Sequence, residues 1–433
     1  MPVDLNRIPA PLDEPPAPRI GRWFALLVLL LLSGIGLTHW RAEANFLDLP
    51  DRLWLLGIGI PLGLWGALAF ARLLVLIGDQ ATNDAWNQAR DVDLARKLRY
   101  GRRSLQVLAV SLRTAFREVG AKHSDAQTQA LLSGKRAIAV QADWKNCPEG
   151  ARHSRLALVP DEKSSDAPSL ALATAGLDHL DPTLGRTVLA SLQQALNDLA
   201  KVLDELPYRQ PLTLLLELDL GGSHPDSECL WQALWAASAI RQPVVRLEGQ
   251  GLEAIDTWLD RCIADEAMLL VVSARLTPIE VAGSAEAVVV LLFGNRLTPS
   301  SLPPLAYLHR PQRASEPDAA AWLDAAVQAL NWVPLPGASV SHAWLAGQTQ
   351  GGVRLLPGAL EALGGAATDR HDLDAALGNL GCATPWVALA AAVESQRCEQ
   401  QPHLIFSTDG AASLRQWCAV VMPACASSGK ADE

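Results

Sequence analysis

The stretch ADEAMLLVVSARL, residues 264–276, is closely followed by AEAVVVLLF, residues 285–293. Each carries an unbroken apolar run of strand length, rich in valine and leucine. Runs of this kind mark strands covered on both faces. They predict two adjacent core strands, at 268–274 and 287–293. Working outward, LTLLLEL at 212–218 reads as a third buried strand and residues 244–247 as a fourth. Shorter strands are expected at 136–142, 170–173, 404–407 and 419–422. Residues 183–206 place Val188, Leu192, Leu196, Leu199 and Leu203 at spacings of three and four, the mark of an amphipathic helix. Residues 83–120, 226–240, 252–263 and 318–331 also read as helical, and 299–317 as a proline-rich crossing. Near the C-terminal end, Thr384 is a candidate N-cap with Pro385 at the first helical position and 387–393 continuing the helix. The alternation predicts an α/β domain with buried strands and no short-period repeat.

Two uncharged apolar runs precede this domain, at 23–40 and 53–71. A helix rises about 1.5 Å per residue and the hydrocarbon core is about 30 Å thick, so both runs fit membrane spans. Trp23, Trp40 and Trp54 lie at their ends, where interfacial aromatics gather. Basic residues decide orientation. The tail holds Arg7, Arg19 and Arg22, the short loop only Arg41 and Arg52, and the segment after the second run Arg90, Arg96, Lys97, Arg99, Arg102 and Arg103. This predicts tail and large domain inside, loop outside: a multi-pass protein of a bacterial inner membrane with its domain in the cytoplasm. Seven cysteines without paired spacing agree with a reducing compartment.

Residues 1–103 carry 12 basic and 10 acidic side chains, a net +2, and the remainder carries 24 and 36, a net −12. An acidic domain argues against a nucleic-acid partner. The basic stripe at 90–103 reads either as a face toward anionic headgroups or as a solvated helix face. The expected organisation is a disordered proline-rich tail (1–22), a two-helix transmembrane hairpin (23–78), a juxtamembrane helical region (79–130), an α/β domain (131–423) and a flexible tail (424–433).

Two stretches resemble the thiolase and β-ketoacyl-synthase superfamily. One is PVVRLEGQGLEAIDTWLDRCIADEAMLLVVSARL at 243–276, similar to the family's strand, nucleophile elbow, helix and core strand. The other is ALGNLGCATPWVALAAAV at 376–393, similar to its asparagine–x–glycine–histidine loop and following helix. HLIFSTDGAASLRQWCAVVMP at 403–423 then resembles the final hairpin. The resemblance implies a layered α/β/α/β/α fold of two similar halves, with homodimers common. It implies a nucleophilic cysteine at a helix N-terminus, assisted by two histidines. Here the elbow falls near 247–251, where Glu248 and Gln250 are the candidates and no cysteine or serine lies. The first histidine position falls near Leu345 or Ala346, with His342 a few residues early, and the second is Cys382. The resemblance therefore implies a pseudoenzyme whose pocket candidates are Glu248, Gln250, His342 and Cys382, with no cofactor. Some family members decarboxylate with glutamine at the nucleophile position, which keeps an acyl-thioester or lipid-acyl enzyme as the alternative.

Other groups read more plainly. Glu248-Gly249-Gln250-Gly251 suits a tight turn better than a phosphate cradle, lacking a third glycine. Asp369, His371, Asp372 and Asp374 suit a helix cap better than a metal site. Cys229 and His224, near Trp231 and Trp235, suit a core helix. Trp322, Trp332, Trp344, Trp386 and Trp417 are interface anchors if exposed and core if buried. Taken together, the chain is expected to be a membrane-tethered adaptor that recruits a protein partner. Its arrangement is similar to accessory proteins beside type VI secretion systems, whose components or effectors are the expected partners.

Overall fold

The computed structural model describes Leu5 and residues 8–42, 54–117, 125–135, 137–138, 152–157, 177, 182–221, 227–298, 302–316, 318–348, 358, 360–364, 368–410 and 415–424. It comprises two compact units, residues 4–99 and residues 100–433 together with 1–3.

The first unit is a helical hairpin. Helix α1 spans Ile20–Ala42. A wide π-helical turn at Leu55–Gly59 leads into α2, Ile60–Gly101. The pair pack through small residues: a Cβ on Gly34 would collide with Pro61 and the Gly57 carbonyl, and Gly57 faces Thr38. Close backbone approach through small side chains suits helices in lipid, where packing rather than water exclusion drives association. Ile20–Trp40 and the apolar start of the second helix are each long and apolar enough to cross a membrane. Their large side chains face outward, with Phe24, Leu29, Leu32, Leu55 and Phe70 all more than 60% exposed.

The second unit is built on one eleven-stranded sheet. Its strands are β1 (Ser104–Thr114), β2 (Leu212–Asp219), β3 (Val244–Arg246), β4 (Met268–Arg275), β5 (Ala287–Gly294), β6 (Ala306–His309), β7 (Gln312–Arg313), β8 (His342–Ala346), β9 (Asp369–Asp372), β10 (His403–Thr408) and β11 (Gln416–Pro423). They lie in the order β3-β2-β4-β5-β1-β6-β11-β10-β8-β9, with β7 beside β11. The order contains a repeat: β3-β2-β4-β5-β1 matches β9-β8-β10-β11-β6. In each half the first three strands are parallel, and the fourth runs antiparallel to its neighbours. The halves join where Ser104–Val107 of β1 meet Ala306–His309 of β6.

Helices cover both faces of each half. They are α3 (Asp125–Ser133), α4 (Pro182–Leu203), α5 (Ser227–Ala237), α6 (Gly251–Arg261), α7 (Ala319–Trp332), α8 (Leu373–Ala376) and α9 (Thr384–Ser395). Alternate residues of β5 serve two cores. Val289, Leu291 and Phe293 join α6 and α9, while Val288, Val290 and Leu292 join α4 and α5. That is why the sequence reads as an unbroken apolar run. β10 and β11 repeat the scheme, with Ile405, Trp417 and Ala419 toward α6 and α9 and Phe406, Cys418 and Val420 toward α7. Every residue of α9 is buried. The layers are therefore α4 and α5, one half-sheet, α6 and α9, the other half-sheet, and α7. A fully buried Arg310 ties α6 to the strand layer, bonding Asp256 at 2.8 Å and also Asp260. Its charge is held by paired carboxylates, the condition for burying one.

Several sequence expectations are corrected. The helix read at 83–120, and with it the helical region at 79–130, ends at Gly101, and residues 104–114 are β1. Gly101 lets the chain pass Trp332, whose ring a Cβ there would strike. The 299–317 crossing contains β6 and β7. Thr384 is not an N-cap: α9 begins on it, Ala383 precedes it without a side-chain cap, and its hydroxyl donates back to the Gly381 carbonyl at 2.6 Å. The tail is not without partners, since residues 9–13 bond to α2. Of the strand expected at 136–142, the described residues Ala137 and Ile138 lie in no strand; 170–173 and His224 fall outside the described residues. Trp322, Trp332, Trp344, Trp386 and Trp417 are all core.

Candidate functional site

The repeat gives each half a buried helix after its edge strand, and α6 follows β3. Between them Gly249 takes φ 143°, Gln250 is extended, and Gly251 enters the helix at φ 51°. Only glycine adopts such angles without strain. The first backbone N–H groups of a helix have no internal partner and carry the positive end of its dipole. Here two carboxylates meet them. Gly251 N–H donates to Glu217 Oε1 at 2.6 Å, and Leu252 N–H donates to Asp409 Oδ1 at 3.2 Å. Each carboxylate also takes an indole: Trp386 Nε1 donates to Glu217 Oε2 at 2.6 Å, and Trp417 Nε1 to Asp409 Oδ2 at 2.9 Å.

Glu217 comes from the end of β2 and Asp409 from the residue after β10, so both halves of the sheet contribute. Burial pushes both carboxyls above their ordinary range, against the hydrogen bonds they accept; the charge of Asp409 raises Glu217 further. A Cβ built on Gly251 would lie well inside 3.0 Å of the Asp409 carboxylate. A side chain at the helix start thus has no room while Asp409 holds its place.

The four residues proposed from sequence separate into three places. Glu248 and Gln250 are exposed on the turn before α6. Cys382 lies in the single turn Gly381–Ala383 before α9, close to the carboxylate pair. Its thiol reaches the Ala274 carbonyl at 3.4 Å and the Glu217 carbonyl at 3.7 Å, and Ser273 Oγ lies 3.9 Å from the sulfur. Burial, with the charges of Glu217 and Asp219, pushes the thiol up to about 12. His342 opens β8. Ala346 at the other end, four residues or about 13 Å along the strand, precedes Gly347, which lies against Thr384 and Thr408. The structure brings Cys382 to the α6 N-terminus, leaves Glu248 and Gln250 on its rim, and sets His342 apart.

His342 belongs to a second cluster. Its Nδ1 lies 2.9 Å from His371 Nε2, and its Nε2 lies 2.9 Å from Glu399. On the same strand Trp344 Nε1 donates to His403 Nδ1 of β10 at 3.0 Å. Burial holds His371 down at about 4 and His403 at about 3, helped in each case by neighbouring imidazoles. Among the described residues no group of three or more His, Cys, Asp or Glu side chains is placed to hold a metal ion. Asp372 caps α8 through Ala375 N–H, and Asp374 accepts from Gly347 and Gln348 N–H.

Glu217 and Asp409 were not singled out from sequence, whereas Gly251 was read there as part of a tight turn, which the structure shows. The signal was an acid inside the apolar run LTLLLEL and an Asp-Gly closing the strand at 403–408.

No family profile matches the chain, and no curated protein matches it in sequence. Solved structures do match the fold. A ketosynthase from module 1 of the bacillaene synthase of Bacillus amyloliquefaciens FZB42 is 12% identical, over 77% of this chain and 75% of that one, with a TM-score of 0.51. The ishigamide ketosynthase/chain length factor is 17% identical over 74% and 99%, with a TM-score of 0.52. A β-ketoacyl synthase from Burkholderia phymatum STM815 is 10% identical over 74% and 99%, with a TM-score of 0.52. The α/β domain therefore has the ketosynthase- and thiolase-like fold.

Proposed function

We propose that the chain is a membrane-tethered, non-catalytic thiolase-like adaptor that holds a protein partner at the bacterial inner membrane, with its large domain in the cytoplasm. The observation that carries this reading is the filled helix start. In a fold where acyl chemistry would need a nucleophile on α6, Gly251 has no side chain and Asp409 occupies the space beside it. The donors that could stabilise an oxyanion are bound instead to Glu217 and Asp409. The acyl-thioester alternative would need a thiolate, and burial works against one at Cys382.

The tether rests on the outward-facing apolar side chains of α1 and α2, a surface that water would not leave bare. A protein partner is supported by a protein of similar fold, the ketosynthase ApeO from Xenorhabdus doucetiae, solved in complex with its chain length factor ApeC, at a TM-score of 0.50. The sheet itself offers an edge. β9 carries exposed Asp369 and Arg370, charges that discourage pairing. β3 carries Val245, 61% exposed, and accepts a partner strand or a second copy more readily. The partner class we favour is a component or effector of a membrane-bound secretion system of the type VI kind.

Fractionation tests the reading. The full chain is expected in the membrane pellet after alkaline washing, and to leave detergent extracts with a stoichiometric protein partner. A chain lacking residues 1–99 is expected in the soluble fraction. A full chain that washes free, or that purifies without any partner, would overturn it.

A further inference from the structure

The proline-rich tail and the polar part of α2 fit one another. Between residues 79 and 92 the helix is exposed except at Asn83, Asn87 and Arg90. These share one face, at spacings of four and three. The tail lies on that face. Asn87 Oδ1 accepts from Leu12 N–H at 2.9 Å, and its Nδ2 donates to the Leu12 carbonyl at 3.1 Å. Asn83 Nδ2 donates to the Asp13 carbonyl at 2.8 Å, and Arg90 Nε donates to the Pro9 carbonyl at 2.8 Å.

All four bonds are to the tail's main chain. One asparagine reads both the donor and the acceptor of a single residue, which demands an extended backbone there. Pro9, Pro11, Pro15, Pro16 and Pro18 bias the tail toward an extended form before it docks, so little entropy is lost on docking. The bonds are open to water, so each is weak. A weak contact made by a tethered segment closes and opens readily.

We propose that the Asn83–Asn87–Arg90 face is a docking strip for an extended proline-rich segment. Residues 9–13 of the same chain fill it as a releasable strap. The strap holds the start of α1 and the polar part of α2 together on one side of the bilayer. This concerns the anchor alone and stands whether or not the adaptor reading does.

A photo-reactive phenylalanine at Leu12, in the full chain in lipid nanodiscs, tests it. Irradiation is expected to join Leu12 to the segment 83–91 of the same molecule. The triple variant Asn83→Ala/Asn87→Ala/Arg90→Ala should lower that yield roughly tenfold, and Asp84→Ala/Gln88→Ala, on the uncovered face, should not. A synthetic peptide of residues 8–19, at concentrations above the roughly millimolar tethered one, should compete. Cross-links to another copy or to lipid would overturn the proposal. So would a yield unmoved by the triple variant or by the peptide.

Discussion

Gly251→Ala is expected to cost the domain about 3 kcal/mol of stability, from a left-handed backbone angle that alanine resists and from forced displacement of a neighbour. The neighbour is Asp409, whose carboxylate lies where the new methyl group must go. Moving it breaks the bonds from Leu252 N–H and Trp417 Nε1 and leaves a partly buried charge without them. The double variant Gly251→Ala/Asp409→Gly removes the collision but keeps the strained angle and loses the cap. It should recover only part of the loss. Urea unfolding followed by tryptophan fluorescence reads both, as a lower midpoint at unchanged slope. A neutral Gly251→Ala would mean that the helix start has room for a side chain, and the filled-site reading would fail.

His403→Gln is expected to make the protein resist acid better than the wild type, by about 3 kcal/mol between pH 7 and pH 4. His403 titrates at about 3 when folded and near 6.5 when unfolded. The unfolded chain therefore takes up the proton first. The stability held by the neutral imidazole is complete above pH 6.5 and drains as pH falls toward 3. His371, at about 4, drains in the same direction. The buried carboxyls of the domain work the other way. Asp374, raised by burial to about 6, takes its proton first in the folded state and adds stability as pH falls below 6. Glu217 and Asp409 share that sign. The wild-type profile is the difference of these effects, so the comparison between proteins isolates the histidine. Glutamine keeps a carbonyl for the Trp344 indole while removing the titration. Around it lie Ser395, His342 and His371, with Glu399 beyond on His342. Parallel pH profiles for the two proteins would show that His403 carries no such linkage.

What the sequence revealed depended on coverage. β4 and β5 were legible because both faces are buried, which replaces the usual alternation of apolar and polar residues with a continuous apolar run. β1 was misread as helix. Leu105, Leu108 and Leu112 are spaced by three and four, while a bulge between Val107 and Ala109 breaks the strand alternation. The internal repeat was implied by the family resemblance alone and was not readable in the residues, because the halves share strand order, not side chains. At the site, the turn at 247–251 was located through resemblance, and its lack of a nucleophile was readable directly. The carboxylates were not. Glu217 and Asp409 belong to opposite halves and meet only because β2 and β10 each end beside a central helix. His342 looked like part of the pocket because sequence distance to Ala346 is small, yet four strand residues carry it away.

On this reading the fold no longer forms a covalent acyl intermediate, and location is the chain's contribution. The most direct test incubates the detergent-purified full chain with acetyl- and palmitoyl-coenzyme A and reads its intact mass. An unchanged mass is expected for the wild type and for Cys382→Ala alike. An acyl adduct present on the wild type and lost in Cys382→Ala would contradict it.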